Sequence, residues 1–198
     1  MVRNSVLLSS KRHAARTPAA LAALPFTTPV ALTEESWREH VTRGPAVYRI
    51  RAWDLERDAP RAIPRLGGVD EMGIMDIGES GRGRTRVADF LGAAQGKPRS
   101  HRAGWDFYMY GVAEVVPLEA LRVDALAVDD KDVAEALELA LLEDYRWRYK
   151  DRPPLNGSAG KYRKVAAWLE RRGIAARDGH GWLNILTLLR AAGFTAAR

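Results

Sequence analysis

The sequence predicts an α+β fold, a small three-stranded antiparallel sheet flanked by helices, and three observations carry that expectation. Three short runs alternate and are rich in β-branched or aromatic residues: "PAVYRIRAW" (45–53), "MGIMDIGES" (72–80) and "WDFYMYGVAEV" (105–115). Apolar residues at helical spacing follow the second run, and a longer helical segment follows the third. No helical pattern separates the first two runs, so they pair as a long-looped hairpin and not as a βαβ unit.

The first 33 residues contain no Asp or Glu. Residues 1–32 read as a flexible basic arm, with an organellar transit peptide as the alternative. Thr33 stands where an N-cap would, with Glu34 and Glu35 suited to the positive end of a short helix. The strand at 45–53 follows. Residues 54–71 hold charges, Pro60, Pro64 and Gly67-Gly68, and little periodicity, which marks a loop or insertion. After the second strand, Val87, Phe90, Leu91 and Ala94 repeat at i, i+3, i+4 and i+7, a helix over 84–95. "AQGKPRSHRAG" reads as loop before the third strand. Residues 129–150 form a helix opened by "VDDKD" and closed by "DRPPLNGSAG", where proline cannot continue the ladder. Short helices follow at 161–172 and 181–192. The domain itself spans 33–157, with a helical extension over 158–198.

Composition narrows the chemistry. With 46% hydrophobic residues among 198, the chain can bury a core. It has no cysteine, and its four histidines contain no pair at zinc-ligand spacing, so a metal site would be oxygen-rich and suited to magnesium or manganese. The net charge of +6 is compatible with a polyanionic partner. No apolar run is long enough to span a membrane.

The loop "GESGRGRTR" lacks the lysine of a P-loop, and Gly78, Gly81 and Gly83 have the wrong spacing for a dinucleotide fingerprint. Arg82, Arg84 and Arg86 remain, alternating around a helix start where backbone N–H groups and guanidinium groups both suit phosphate. In "ALELALLEDYRWRYKDRPPLNGS", Glu143 interrupts an apolar run, with Leu139 and Trp147 at i−4 and i+4. A carboxylate so placed either reaches water from the core edge or pairs with a metal or arginine. Glu135 and Glu138 read as solvated-face residues. Asn156, thirteen residues after Glu143, is either a turn former or a ligand-orienting amide. In the extension, Lys161, Arg163 and Lys164 stand beside Tyr162 and Trp168, a helix that grips nucleic acid or simply packs by its apolar face.

In this order the pieces resemble the GIY-YIG nuclease family over about residues 44–157. "PAVYRI" looks like the first motif strand with Tyr48 at its tyrosine, and "MDIGES" like the second. Arg86 lies ten residues after Asp76 on the following helix, His101 precedes the third strand, and "LLEDYRWRYKDRPPLN" resembles the late helix and turn with Glu143 and Asn156. Two features depart from the pattern: the long stretch between Tyr48 and Asp76, and Asp76 itself, which stands where the second motif has a tyrosine.

The resemblance implies a metal-dependent endonuclease that hydrolyses DNA, double-stranded in the first instance, with restriction, repair or mobile-element roles all open. Tyr48 would serve as general base for water, Arg86 would stabilise phosphoryl charge, and Glu143 would hold magnesium or manganese. His101 and Asn156 would complete the catalytic set, and Arg82, Arg84, Lys161, Arg163 and Lys164 would contact the backbone. Asp76 would orient the cation through a water, pair with an arginine, or mark a domain that binds DNA without cutting it. A prokaryotic or phage-like cytoplasmic setting goes with this expectation. The alternatives are a non-catalytic nucleic-acid-binding protein that retains the fold and an interaction module whose basic surface meets an acidic protein.

Overall fold

A computed structural model of the chain describes residues 24–157 and 162–174. Its centre is β2 (Ala46–Asp54), antiparallel to a neighbour on each side. One neighbour is β6 (Ile74–Ser80), with Tyr48 opposite Gly78 and Ile50 opposite Asp76; the other is β7 (Leu121–Ala127), with Arg49 opposite Asp124. β1 (Val30–Ala31) lies outside β7, and β3 (Ala59–Pro60) continues beside the end of β2. β4 (Ile63–Arg65) and β5 (Gly68–Asp70) form a separate two-stranded hairpin inside the 54–71 stretch, which is therefore ordered and not a bare loop.

Alternation along β2 and β6 sends side chains to two cores. Val47, Ile77 and Leu126 pack under α4 (Lys131–Tyr149) and α5 (Tyr162–Arg171). Tyr48, Ile50 and Val123 pack with Trp37 of α1 (Trp37–His40), Val87 and Phe90 of α2 (Gly83–Ala94), and Phe107 of α3 (Arg102–Met109). The long helix forms because Ala134, Leu137, Leu141 and Tyr145 make one apolar stripe. Asp130 caps it through Val133 N–H at 2.8 Å, and Lys150 ends it at φ +58°.

Four sequence expectations change. The third strand is not 105–115: that segment begins as α3, and the strand is 121–127. His101 caps the helix, Arg102 and Asp106 pair at i, i+4, and Ala103 and Phe107 face the core one turn apart. Thr33 does not cap α1, which starts four residues later after a series of turns, with no side-chain cap. The arm does not extend to residue 32: Thr27 N–H donates to Ala125 O, Thr27 Oγ1 accepts from Ala125 N–H, and Leu24 and Leu32 are buried. Glu135 is not on a solvated face; it is buried and paired with Lys164 at 2.7 Å. The helix expected at 181–192 lies outside the described residues.

One buried charge cluster holds the sheet together. Asp124 receives two bonds of 2.8 Å from Arg49, and Arg51 pairs with it at 2.5 Å. Burial lowers the Arg51 pKa, and Asp124 opposes that shift. Asp124→Ala would strand two cations against β7, so a loss of about 3–5 kcal/mol is expected. Chemical denaturation measures it; a midpoint equal to wild type would show that solvent compensates.

Candidate active site

The site is built on the face of the sheet that carries Tyr48 and Asp76. Their positions follow from register: Tyr48 lies opposite Gly78, Asp76 opposite Ile50, so both project to the side covered by α2 and α3. Gly78 is required there because a Cβ would stand 2.2 Å from the Tyr48 hydroxyl oxygen. The tyrosine ring lies over the glycine backbone.

α2 brings Arg86 to this face. The helix starts against the 42–44 turn, with Gly83 N–H bonded to Gly44 O at 2.9 Å and Arg84 N–H to Thr42 O at 2.8 Å. These amides are therefore spent on the turn, and the helix start is not the open phosphate cradle that its sequence suggests. Arg86 donates to the Ser100 carbonyl at 2.6 Å.

α3 brings His101, as its N-cap. Its Nε2 lies 2.8 Å from the Tyr48 hydroxyl, and Phe90 packs edge-on against the imidazole at 5.2 Å. The tautomer follows from the cap. Nδ1 accepts from Gly104 N–H, so the single proton of the neutral ring sits on Nε2 and is donated to the Tyr48 oxygen. Burial, aided by the Arg86 charge, lowers the His101 pKa to about 3, which keeps the ring neutral.

Tyr48 is 1% exposed, and His101 and Asp76 3% each. Burial raises the Tyr48 pKa well above the ordinary phenol value; Asp76 adds to the rise, Arg86 opposes it, and Glu138 adds a further rise. A phenol made acidic by its neighbours, as the nuclease chemistry would call for, is not what the free protein holds. The Asp76 carboxyl is pushed up to about 7, mainly by burial, with Arg86 opposing and Asp106 assisting. Between about pH 4 and 7 the folded state thus keeps a proton that the unfolded chain has released. Asp76 therefore makes stability fall as pH rises through that window. Asp76→Asn should flatten the fall and raise the urea midpoint at pH 8 relative to wild type. Parallel pH profiles would rule this out.

The other expected site residues make contacts of their own. Glu143 faces Arg146 at 3.7 Å and lines a hollow with Trp147 and Lys150. It is five residues from Glu138, about 140° around the helix. Glu138, read from the sequence as solvated, is half-buried and is the α4 carboxylate with the largest effect on Tyr48. Its signal was present only as a glutamate within an apolar run, which Glu143 shares. Asn156 uses its amide on the backbone: Oδ1 accepts from Ile77 N–H at 2.9 Å, and Nδ2 donates to Ile77 O at 2.8 Å. It closes the outer edge of β6 between Asp76 and Gly78. Arg82 is exposed, Arg84 donates to Val41 O, Arg163 is exposed, and Lys164 is paired with Asp132 and Glu135. Lys161 lies outside the described residues.

Among the described residues no group of three or more His, Asp or Glu side chains could hold a metal ion by itself. An ion bound here would take one carboxylate, with water and phosphate oxygens completing its shell, an arrangement that magnesium accepts. Glu138, the α4 carboxylate with the largest effect on Tyr48, is the candidate for that single carboxylate. No helix among the described residues is long and apolar enough to cross a membrane. Comparisons with protein-family models, with curated proteins and with solved structures each return no match.

Proposed function

We propose that the chain is a GIY-YIG-type, metal-dependent endonuclease that hydrolyses DNA phosphodiester bonds. The observation that carries this reading is the meeting of Tyr48 and His101, 53 residues apart in sequence, with Asp76 and Arg86 on one sheet face. Each of these groups has a job in in-line attack by water. The scissile phosphate meets Arg86 first, and the guanidinium exchanges the Ser100 carbonyl for a non-bridging oxygen, whose charge rises in the transition state. His101 holds the Tyr48 oxygen through its Nε2 proton and fixes the direction of the phenolic O–H. Tyr48 accepts a proton from the attacking water as it passes its own, through a bridging water, to Asp76. The carboxyl pKa of about 7 lets Asp76 be partly ionised and still basic at neutral pH. The new O–P bond forms as the bond to the departing 3′ oxygen breaks, and solvent protonates that oxygen. Glu138 would hold a divalent cation, which would supply neutralisation of charge on the leaving oxygen.

A second reading is a non-catalytic DNA-binding protein with the same fold. The depth of Tyr48 and the anionic form of Asp76 favour it, because a carboxylate repels a phosphate. Both readings are separated by one experiment: cleavage of plasmid, linear, branched and single-stranded DNA with magnesium or manganese, by wild type and by Arg86→Ala. Cutting that disappears in the variant supports the nuclease. Salt-sensitive binding without cutting of any form supports the binder.

A further inference from the structure

The insertion between β2 and β6 builds a second surface, away from Tyr48. Its hairpin is fastened to the end of α4 at three points. Asp70, fully buried, accepts Met72 N–H at 2.9 Å, Ile74 N–H at 2.8 Å and the Tyr145 hydroxyl at 3.1 Å. Gly67 N–H donates to Tyr149 O at 2.7 Å, and a Cβ on Gly67 would stand 2.8 Å from the Tyr149 carbonyl carbon. Arg65 donates to the Asp151 carboxylate and to the Arg152 carbonyl.

Between hairpin and helix end lies an open cleft of about 610 Å³. Arg65, Arg146, Lys150 and Arg152 line it with one acid, Asp151, so four cations against one anion leave +3. A smaller hollow of about 250 Å³ adjoins it, sharing Arg146 and Lys150 and adding Trp147 and Glu143, which pairs with Arg146 at 3.7 Å, so four cations against two anions leave +2 over both clefts. Trp147 is 54% exposed, an unusual state for so large a ring, and Lys150 Nζ lies 5.1 Å from its centroid. Asn156 lines the larger cleft while its amide holds Ile77, the neighbour of Asp76, so the cleft opens beside the strand of the candidate active site.

We propose that the two adjoining clefts bind an unpaired nucleotide of the DNA strand flanking the cleaved bond, phosphate among Arg146, Lys150 and Arg152, base against Trp147. The position relative to the cut rests on the nuclease reading; the binding itself does not. A phosphate needs a concentrated positive surface, and a base needs an aromatic face within one nucleotide of it. In a closed duplex the bases are stacked on one another and cannot reach Trp147. The protein therefore favours DNA with an unpaired segment over fully paired DNA.

The test is binding of the full chain, without metal, to labelled single-stranded, flapped and blunt duplex DNA across a salt series. Trp147→Ala is expected to weaken single-stranded and flapped binding by about five- to a hundredfold. Blunt-duplex binding should change by less than about twofold, since no base reaches the ring there. Trp147→Leu, which keeps an apolar body without an aromatic face, repeats the test should the alanine variant fold poorly; Trp147→Phe should retain most of the affinity. Arg146→Gln with Lys150→Gln should reduce the salt slope by about 1.4 for single strands. Unchanged single-stranded binding in these variants overturns the proposal, as does a wild type that binds none of the unpaired substrates at low salt. If cleavage persists while those variants bind normally, only this subsite falls. If binding is lost in the variants but wild type cuts nothing, the subsite stands and the nuclease reading falls.

Discussion

Tyr48→Phe is expected to lower the rate of DNA cleavage by at least about a hundredfold, with DNA affinity changed by less than about threefold. The substitution keeps the ring that fills the space above Gly78 and removes one oxygen. That oxygen is the acceptor of the His101 Nε2 proton at 2.8 Å and, in the proposed mechanism, the group through which water would be deprotonated. Its loss leaves a buried N–H without its partner, so a stability cost of about 1–3 kcal/mol accompanies the loss of rate. Single-turnover cleavage and a denaturation curve measured together separate the two effects. A variant that cuts at the wild-type rate would remove Tyr48 from the chemistry and leave it as a packing residue. His101→Ala should follow Tyr48→Phe in direction. It removes the donor that fixes the phenol, but the oxygen that handles the proton remains.

The second large effect distinguishes two glutamates on one helix. Glu138→Gln should abolish metal-dependent cleavage, a loss of more than about a thousandfold, because an amide is neutral and cannot replace a carboxylate as a hard cation's ligand. Glu143→Gln should cut within about threefold of wild type, since Glu143 faces Arg146 in the hollow beside Trp147. The sequence resemblance puts the cation on Glu143, so the reverse result would restore that assignment and show that α4 is turned differently when DNA is bound. Neither substitution introduces a buried charge. The comparison is read as kcat against metal concentration, with circular dichroism to confirm that both variants retain the helix.

Asp76 links these two effects. A tyrosine at this position would be a neutral neighbour to Tyr48. A carboxyl pushed up to about 7 is a proton acceptor whose charge state changes near neutrality. If Tyr48 hands its proton to Asp76, the cleavage rate should rise with pH through about 7 in wild type and lose that limb in Asp76→Asn. The same titration makes the folded state less stable on the alkaline side, so activity and stability move in opposite directions over one pH interval.

Much of the architecture was legible in the residue pattern. The β2 and β6 strands, α2 and α4 all lie within two residues of their expected bounds, because each is long or strongly periodic and ends at a distinct breaker. The failures have physical causes. The run 105–115 alternates in hydropathy, but Ala103 and Phe107 also fit a helical face, and a segment this short satisfies both periods. The true third strand, "LRVDALA", carries Asp124 in a buried position, which looks wrong for a core strand until Arg49 and Arg51 arrive from β2 to neutralise it.

By itself, the sequence determined the α+β class, the hairpin without an intervening helix and the absence of thiolate chemistry, which follow from local properties: period, breaker residues and composition. The resemblance of its short motifs to a nuclease family singled out Tyr48, Asp76, Arg86 and His101. Only the tertiary structure decided which partners meet. The Tyr48–His101 bond joins positions 53 apart, the α2 amides are consumed by the 42–44 turn, and of the α4 carboxylates it is Glu138 whose charge acts on the tyrosine. Spacing along a chain specifies which side of its own helix a residue occupies; which side faces the sheet is set by the burial of the whole apolar stripe.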